Sequence, residues 1–142
     1  MLISTKGRYA LRVLIELAGY DRQQLVTLQT IADSQQISEK YLESIIVVLS
    51  KAGLVDAVRG KGGGYRLARK PEEYTIGEIL KLTEGTLAPV ACLDDTPNKC
   101  PRAAECKTLP MWEKLNTIIG NYLYSVTLKD LIDPSDSGDF QI

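Results

Sequence analysis

The sequence predicts a mainly α chain that carries one small β-hairpin and has a long helix near its C-terminal end. Three observations predict this. Apolar residues recur at helical spacing in three successive runs within the first half of the chain. A glycine-rich, basic loop then separates two short segments of strand formers. Beyond a stretch holding prolines and all the cysteines, a broad apolar stripe of helical period runs from Pro110 to Val126.

The elements follow in order. Tyr9, Ala10, Val13, Leu14, Leu17 and Ala18 place an amphipathic helix over residues 5–19. Gln23 and Gln24 belong to a polar connection. Thr27 is placed to cap a short helix bearing Leu28, Ile31 and Ala32, and Ser34-Gln35-Gln36 makes a polar turn. Ser38 caps the next helix, 39–52, whose apolar face is Tyr41, Leu42, Ile45, Ile46 and Leu49. Gly53 falls where a left-handed residue ends a helix. Leu54–Val58 and Tyr65–Leu67 read as the strands of a hairpin around Gly60-Lys61-Gly62-Gly63-Gly64, and Pro71 closes that unit. Thr75 and Glu78 form a capping box before Ile76, Ile79, Leu80 and Leu82, and Gly85 ends the helix. Residues 86–108 show no period. In the late helix the stripe is Trp112, Leu115, Ile118, Ile119, Tyr122, Leu123 and Val126. Thr127 and Asp130 cap a short last helix, and residues 133–142 read as a flexible acidic tail.

Three helices followed by a hairpin is the order of a winged helix-turn-helix, with 39–52 as the recognition helix. The expected division is a DNA-binding unit at 1–70, a cysteine loop with dimerisation helices at 71–132, and the tail. Charge agrees with this division. The net charge of −1 hides 11 Lys and Arg against 6 Asp and Glu in residues 1–70, and 6 against 12 in residues 71–142. A basic half suits a polyanionic partner. The first eight residues lack the apolar core of a signal peptide, and no apolar run approaches a bilayer span. The expected setting is therefore the cytoplasm, with reduced thiols and no membrane partner. The chain has no histidine. Ser-His-Asp and Cys-His catalysis are excluded, and the expectation is a protein that is not an enzyme.

Val58-Arg59-Gly60-Lys61-Gly62-Gly63-Gly64-Tyr65-Arg66 sets Arg59, Lys61 and Arg66 around four glycines. A thin loop of this kind can enter a minor groove, where arginine is favoured by the negative potential of narrow A·T tracts. It is not a nucleotide-binding loop, because the Gly-x-x-x-x-Gly-Lys-Ser/Thr pattern is absent and the glycines lie between strands. The bland alternative is a flexible hairpin tip. The recognition helix offers Ser38, Glu39, Lys40, Glu43 and Ser44 at or near its start. Serine hydroxyls suit phosphates, and a glutamate can accept from cytosine N4. Tyr41 is read as core packing.

Ser4-Thr5-Lys6-Gly7-Arg8-Tyr9-Ala10, Ile37-Ser38 with Tyr41-Leu42-Glu43, and Gly53-Leu54-Val55 through Val58-Arg59-Gly60 to Gly63-Gly64-Tyr65 together resemble the Rrf-two family of bacterial winged-helix regulators. The resemblance runs from about residue 2 to residue 132. Within the family it points to the iron–sulfur cluster regulators, because the cysteines lie between the Glu78 helix and the Trp112 helix. It implies that Ser38, Lys40 and Glu43 read the major groove and that Arg59, with Lys61 beside it on the wing, enters the minor groove. The family position filled by Lys40 is often a small hydroxyl residue.

The cysteines are Cys92, Cys100 and Cys106, spaced x7 and x5. They do not form the paired C-x-x-C of zinc fingers, and an odd number cannot close into disulfides within one chain. Thiolates suit iron–sulfur clusters and zinc, and reversible disulfide sensing is a further reading. The resemblance implies an iron–sulfur cluster, 2Fe–2S in preference to 4Fe–4S, bound by all three cysteines. In the family the third cysteine is often followed three positions later by a histidine. Here that residue is Leu109, which cannot coordinate. The fourth ligand is then an oxygen donor, a group from a partner subunit or a small exogenous molecule, with Asp94, Asp95 and Glu105 near in sequence.

A stripe about 25 Å long at 1.5 Å per residue is expected to pack against the same helix of a second chain. The homodimer would then match a palindromic operator in double-stranded DNA. The resemblance implies control of iron–sulfur cluster assembly genes by cluster status. Alternatives are a DNA-binding regulator answering nitric oxide or thiol redox state, and a redox iron–sulfur protein.

Overall fold

Ser4, Thr27, Ser38, Thr75 and Thr127 start five of the six helices described below, each side chain accepting a hydrogen bond from the backbone N–H three residues on. These caps satisfy donors that a helix start otherwise leaves unpaired. The structure is a computed structural model describing residues 2–134. The tail expected at 133–142 lies, from residue 135 onward, outside the described residues.

The helices are α1 (Thr5–Ala18), α2 (Leu28–Gln35), α3 (Glu39–Lys51), α4 (Ile76–Glu84), α5 (Leu109–Ser125) and α6 (Leu128–Ile132), and the strands are β1 (Val55–Val58) and β2 (Gly64–Leu67). This is the mainly α fold with a two-stranded antiparallel wing that the sequence predicts. Gly53 takes the left-handed conformation, with φ of 76°. The turn between α2 and α3 bends at Gln36, left-handed at φ 55°, whose N–H donates to the Ala32 carbonyl. Both capping boxes form, Thr75 with Glu78 and Thr127 with Asp130.

One continuous apolar core runs from Ala10, Val13, Leu14 and Leu17 of α1 through Leu42, Ile45, Ile46 and Leu49 of α3 to Ile79 of α4 and Leu128 of α6. Helix α1 lies at its centre and packs against α2, α3, α4, α6 and β2. The apolar faces read from period 3.6 are the faces that are buried.

The hairpin pairs Val55 with Leu67 and Val58 with Gly64. Val26, just before α2, adds itself to β2 as a short third segment. Its N–H donates to the Tyr65 carbonyl and its carbonyl accepts from the Tyr65 N–H, both at 2.8 Å. Gly64 makes this pairing possible. At φ 156°, a Cβ there would come within 2.7 Å of the Val26 carbonyl oxygen.

In the second half, α4 packs on α5, and the ring of Tyr124 lies where a Cβ on Gly77 would come within 2.6 Å. The α5–α6 corner is stitched to the start of α4. Ile76 N–H donates to the Val126 carbonyl at 2.9 Å and Leu128 N–H to the Tyr74 carbonyl at 3.0 Å. Residues 86–108 hold neither an α-helix nor a strand, only a 3-10 turn at Ala91–Leu93 and isolated turns. No residue of α5 is fully buried. No described helix is long and apolar enough to cross a membrane.

Candidate nucleic-acid interface

Helix α3 buries Leu42, Ile45, Ile46 and Leu49 and leaves Ser38, Glu39, Lys40, Glu43 and Ser44 exposed. Ser38 spends one lone pair on its cap, accepting from Tyr41 N–H at 3.2 Å, and keeps its hydroxyl proton for another acceptor. Ser44 is engaged locally, donating to the Tyr41 carbonyl at 2.6 Å. Tyr41 packs as expected. Its ring meets Tyr9 of α1 edge-on, with centroids 5.8 Å apart and planes at 72°. The Arg12 guanidinium covers the other partner, 4.9 Å from the Tyr9 centroid, and donates to the Gln35 side chain at 3.0 Å. This stack fixes α3 against α1 and the end of α2.

Between α3 and the wing lies a cleft of about 550 Å³, walled by Glu43, Val47, Ser50 and Lys51 on one side and Val58 and Arg59 on the other. Glu43 and Arg59, two of the expected site residues, thus share one cleft. Ser38, Lys40 and Lys61 do not line it. Ser38 and Lys40 lie exposed at the start of α3, and Lys61 lies exposed in the wing loop. Arg66, read as a third positive charge of the wing, is turned to its cross-strand partner Asp56, 3.6 Å away. Arg59 and Lys61 have no ion pair among the described residues. Lys51 and Ser50 were not singled out from the sequence. The helical spacing from Glu43 through Val47 to Ser50 and Lys51 is the signal that finds them.

The cysteines are half-buried free thiols. Cys92 sits in the 3-10 turn, Cys100 N–H donates to the Asn98 side chain at 2.8 Å, and Cys106 Sγ lies 3.4 Å from the Thr108 hydroxyl. Hydrogen bonds from the Thr108 hydroxyl and backbone N–H pull the Cys106 thiol pKa below its ordinary value. The donor chemistry is that of a soft-metal site, but the placement is not. Among the described residues no three Cys, Asp, Glu or His side chains converge on a point that could hold a metal ion. Leu109 opens α5. Of the nearby carboxylates, Asp94 accepts from the Thr86 hydroxyl at 3.0 Å and Asp95 pairs with Lys99 at 3.7 Å.

A helix-turn-helix with an exposed second helix and, beside it, a wing whose Arg59 and Lys61 have no ion pair among the described residues defines a winged-helix DNA-binding protein. The chain belongs to the Rrf2 family, described as an iron-dependent transcriptional regulator, which matches residues 3–134. It is 39% identical to the protein rrf2 of Nitratidesulfovibrio vulgaris over 132 residues, 93% of this chain and 87% of that one. The structure of CymR, the global cysteine regulator of Bacillus subtilis, is 38% identical and superposes with a TM-score of 0.74, covering 93% of this chain and 96% of that one. The structure of T. potens IscR is 37% identical with a TM-score of 0.73, covering 100% of this chain and 92% of that one. As a member of this family the protein is a DNA-binding transcription regulator, and nothing in these relatives indicates catalysis.

Proposed function

We propose that the protein acts in the cytoplasm as a homodimer on a palindromic operator. Ser38, Lys40 and Glu43 read the major groove, Arg59 and Lys61 enter the minor groove, and the signal arrives through Cys92, Cys100 and Cys106. The observation that carries this reading is the shared cleft of Glu43 and Arg59. A duplex edge seated there meets a base-reading carboxylate and a groove-entering guanidinium at once. Residues 1–70 form the DNA-binding unit in this reading, and residues 71–132 sense and dimerise.

The dimer reading rests on α5. Met111, Leu115, Ile118 and Tyr122 are 55%, 37%, 54% and 44% exposed. Their spacing of four, three and four residues is that of a helix–helix seam. An apolar stripe of this length on a monomer surface marks an interaction face.

The proposed signal is the occupancy of an iron–sulfur cluster, 2Fe–2S, on the three thiolates, and the proposed targets are genes of iron–sulfur cluster assembly. The three thiols do not converge on one point among the described residues, so ligation requires residues 86–108 to close around the cluster. The lack of helix or strand in that segment leaves room for this. One observation favours a second reading. The acidified Cys106 is suited to thiol chemistry, and the relative CymR is named a cysteine regulator. In that reading the same wing and helix answer thiol redox state without iron. Anaerobic purification with absorbance, iron and sulfide analysis separates the two. Iron and sulfide bound in equal amounts support the cluster, and a colourless, iron-free protein after reconstitution supports the thiol.

A further inference from the structure

Tyr74 is completely buried, 0% exposed, beneath the hairpin. Its hydroxyl donates to the Leu54 carbonyl at 2.6 Å and accepts from the backbone N–H groups of Ala68 and Arg69, each at 3.1 Å. Leu54 immediately precedes β1, and Ala68 immediately follows β2. One hydroxyl therefore holds both ends of the wing at its base, with its donor and both acceptor sites used. Burial pushes the phenol pKa up, against the backbone N–H groups and the charges of Arg69 and Arg22, so the hydroxyl keeps the proton it donates. The Arg69 guanidinium lies 5.3 Å from the ring centroid and is held there by Glu78 at 2.8 Å.

The main chain of the same residue faces the other way. Its carbonyl accepts from Leu128 N–H at 3.0 Å, where α5 hands over to α6. The foot of the wing and the α5–α6 corner thus meet in one residue. Packing alone does not require a hydroxyl here, since a buried phenol is costly unless bonded and a phenyl ring fills nearly the same space. A two-stranded hairpin of four-residue strands is marginal by itself. A strand of that length is about 13 Å long, so roughly 10° of rotation at the base moves the tip by about 2 Å.

We propose that Tyr74 is a positioning residue for DNA binding, its hydroxyl fixing the wing against α3 and its carbonyl tying that setting to the α5–α6 corner. This rests on the wing reading of Arg59. The test is a double-mutant cycle of Tyr74→Phe and Arg59→Ala on the full chain. The probe is a duplex selected from a random pool by the wild-type protein, and the assay temperature is one at which all four proteins are folded. Tyr74→Phe is expected to weaken binding about 5–10-fold, and Arg59→Ala to cost much less in the Phe background than in wild type. Amide exchange is expected to rise across residues 55–67 and not in α3. Unchanged binding by Tyr74→Phe, two losses that multiply in full, or exchange raised equally throughout the chain would overturn the proposal. Arg59→Ala binding as wild type does would instead sink the wing reading and this proposal with it.

Discussion

Glu43 on α3 and Arg59 at the foot of the wing loop line the same cleft of about 550 Å³. The carboxylate comes from a rigid helix and the guanidinium from a hairpin whose base is held by Tyr74. In the function proposed above, the opposite charges at this cleft divide the work: the cation would attract DNA of any sequence, and the anion would tolerate only sequences that repay its repulsion.

Arg59→Ala is expected to weaken operator binding by about 1–3 kcal/mol and to lower the slope of log affinity against log salt. A titration over a salt series checks both. Identical affinity and slope would remove Arg59 from the interface.

Glu43→Ala is expected to change which duplexes are preferred more than it changes overall affinity. A carboxylate near phosphates is repelled everywhere and rewarded only where a cytosine N4 or a similar donor meets it. Selection from a random pool with wild type and variant reads this directly. Equal enrichment of the same sequences by both proteins would deny Glu43 a reading role.

Leu115 and Ile118 are 37% and 54% exposed and take no part in the core. Replacing either with Asp is therefore expected to leave the fold intact and to give monomers. Sedimentation with circular dichroism distinguishes the outcomes, and a folded dimer of both variants would move the interface off this stripe.

Changing any one of Cys92, Cys100 and Cys106 to Ala is expected to abolish or greatly weaken iron and sulfide binding in anaerobic protein. Three thiolates are already one short of the usual four protein ligands, so a second loss leaves too few. Iron and sulfide contents unchanged in all three single variants would place the cluster ligands elsewhere.

Most of the helical fold was legible because its determinants are local. Ser38, Thr75 and Thr127 cap backbone N–H groups three residues away. The period of Leu42, Ile45, Ile46 and Leu49 marks a face whatever that face meets. The glycines around Lys61 announce the wing turn because few other residues accept its backbone angles.

What the sequence by itself determined is this set of elements, their order, and the residue types proposed to meet DNA and to carry the signal. Only the tertiary structure decided their relations. It sent Val26 to pair with Tyr65, set Arg66 against Asp56, and brought Lys51 into the cleft of Arg59. It buried Tyr74 under both ends of the wing and, among the described residues, gathered no three metal-ligating side chains at one point. The physical reason is range. A cap or a helical face is decided within about one turn of chain, whereas Tyr74 Oη reaches Leu54 across 20 residues, a contact created only when α1, α4 and the hairpin close around the same core.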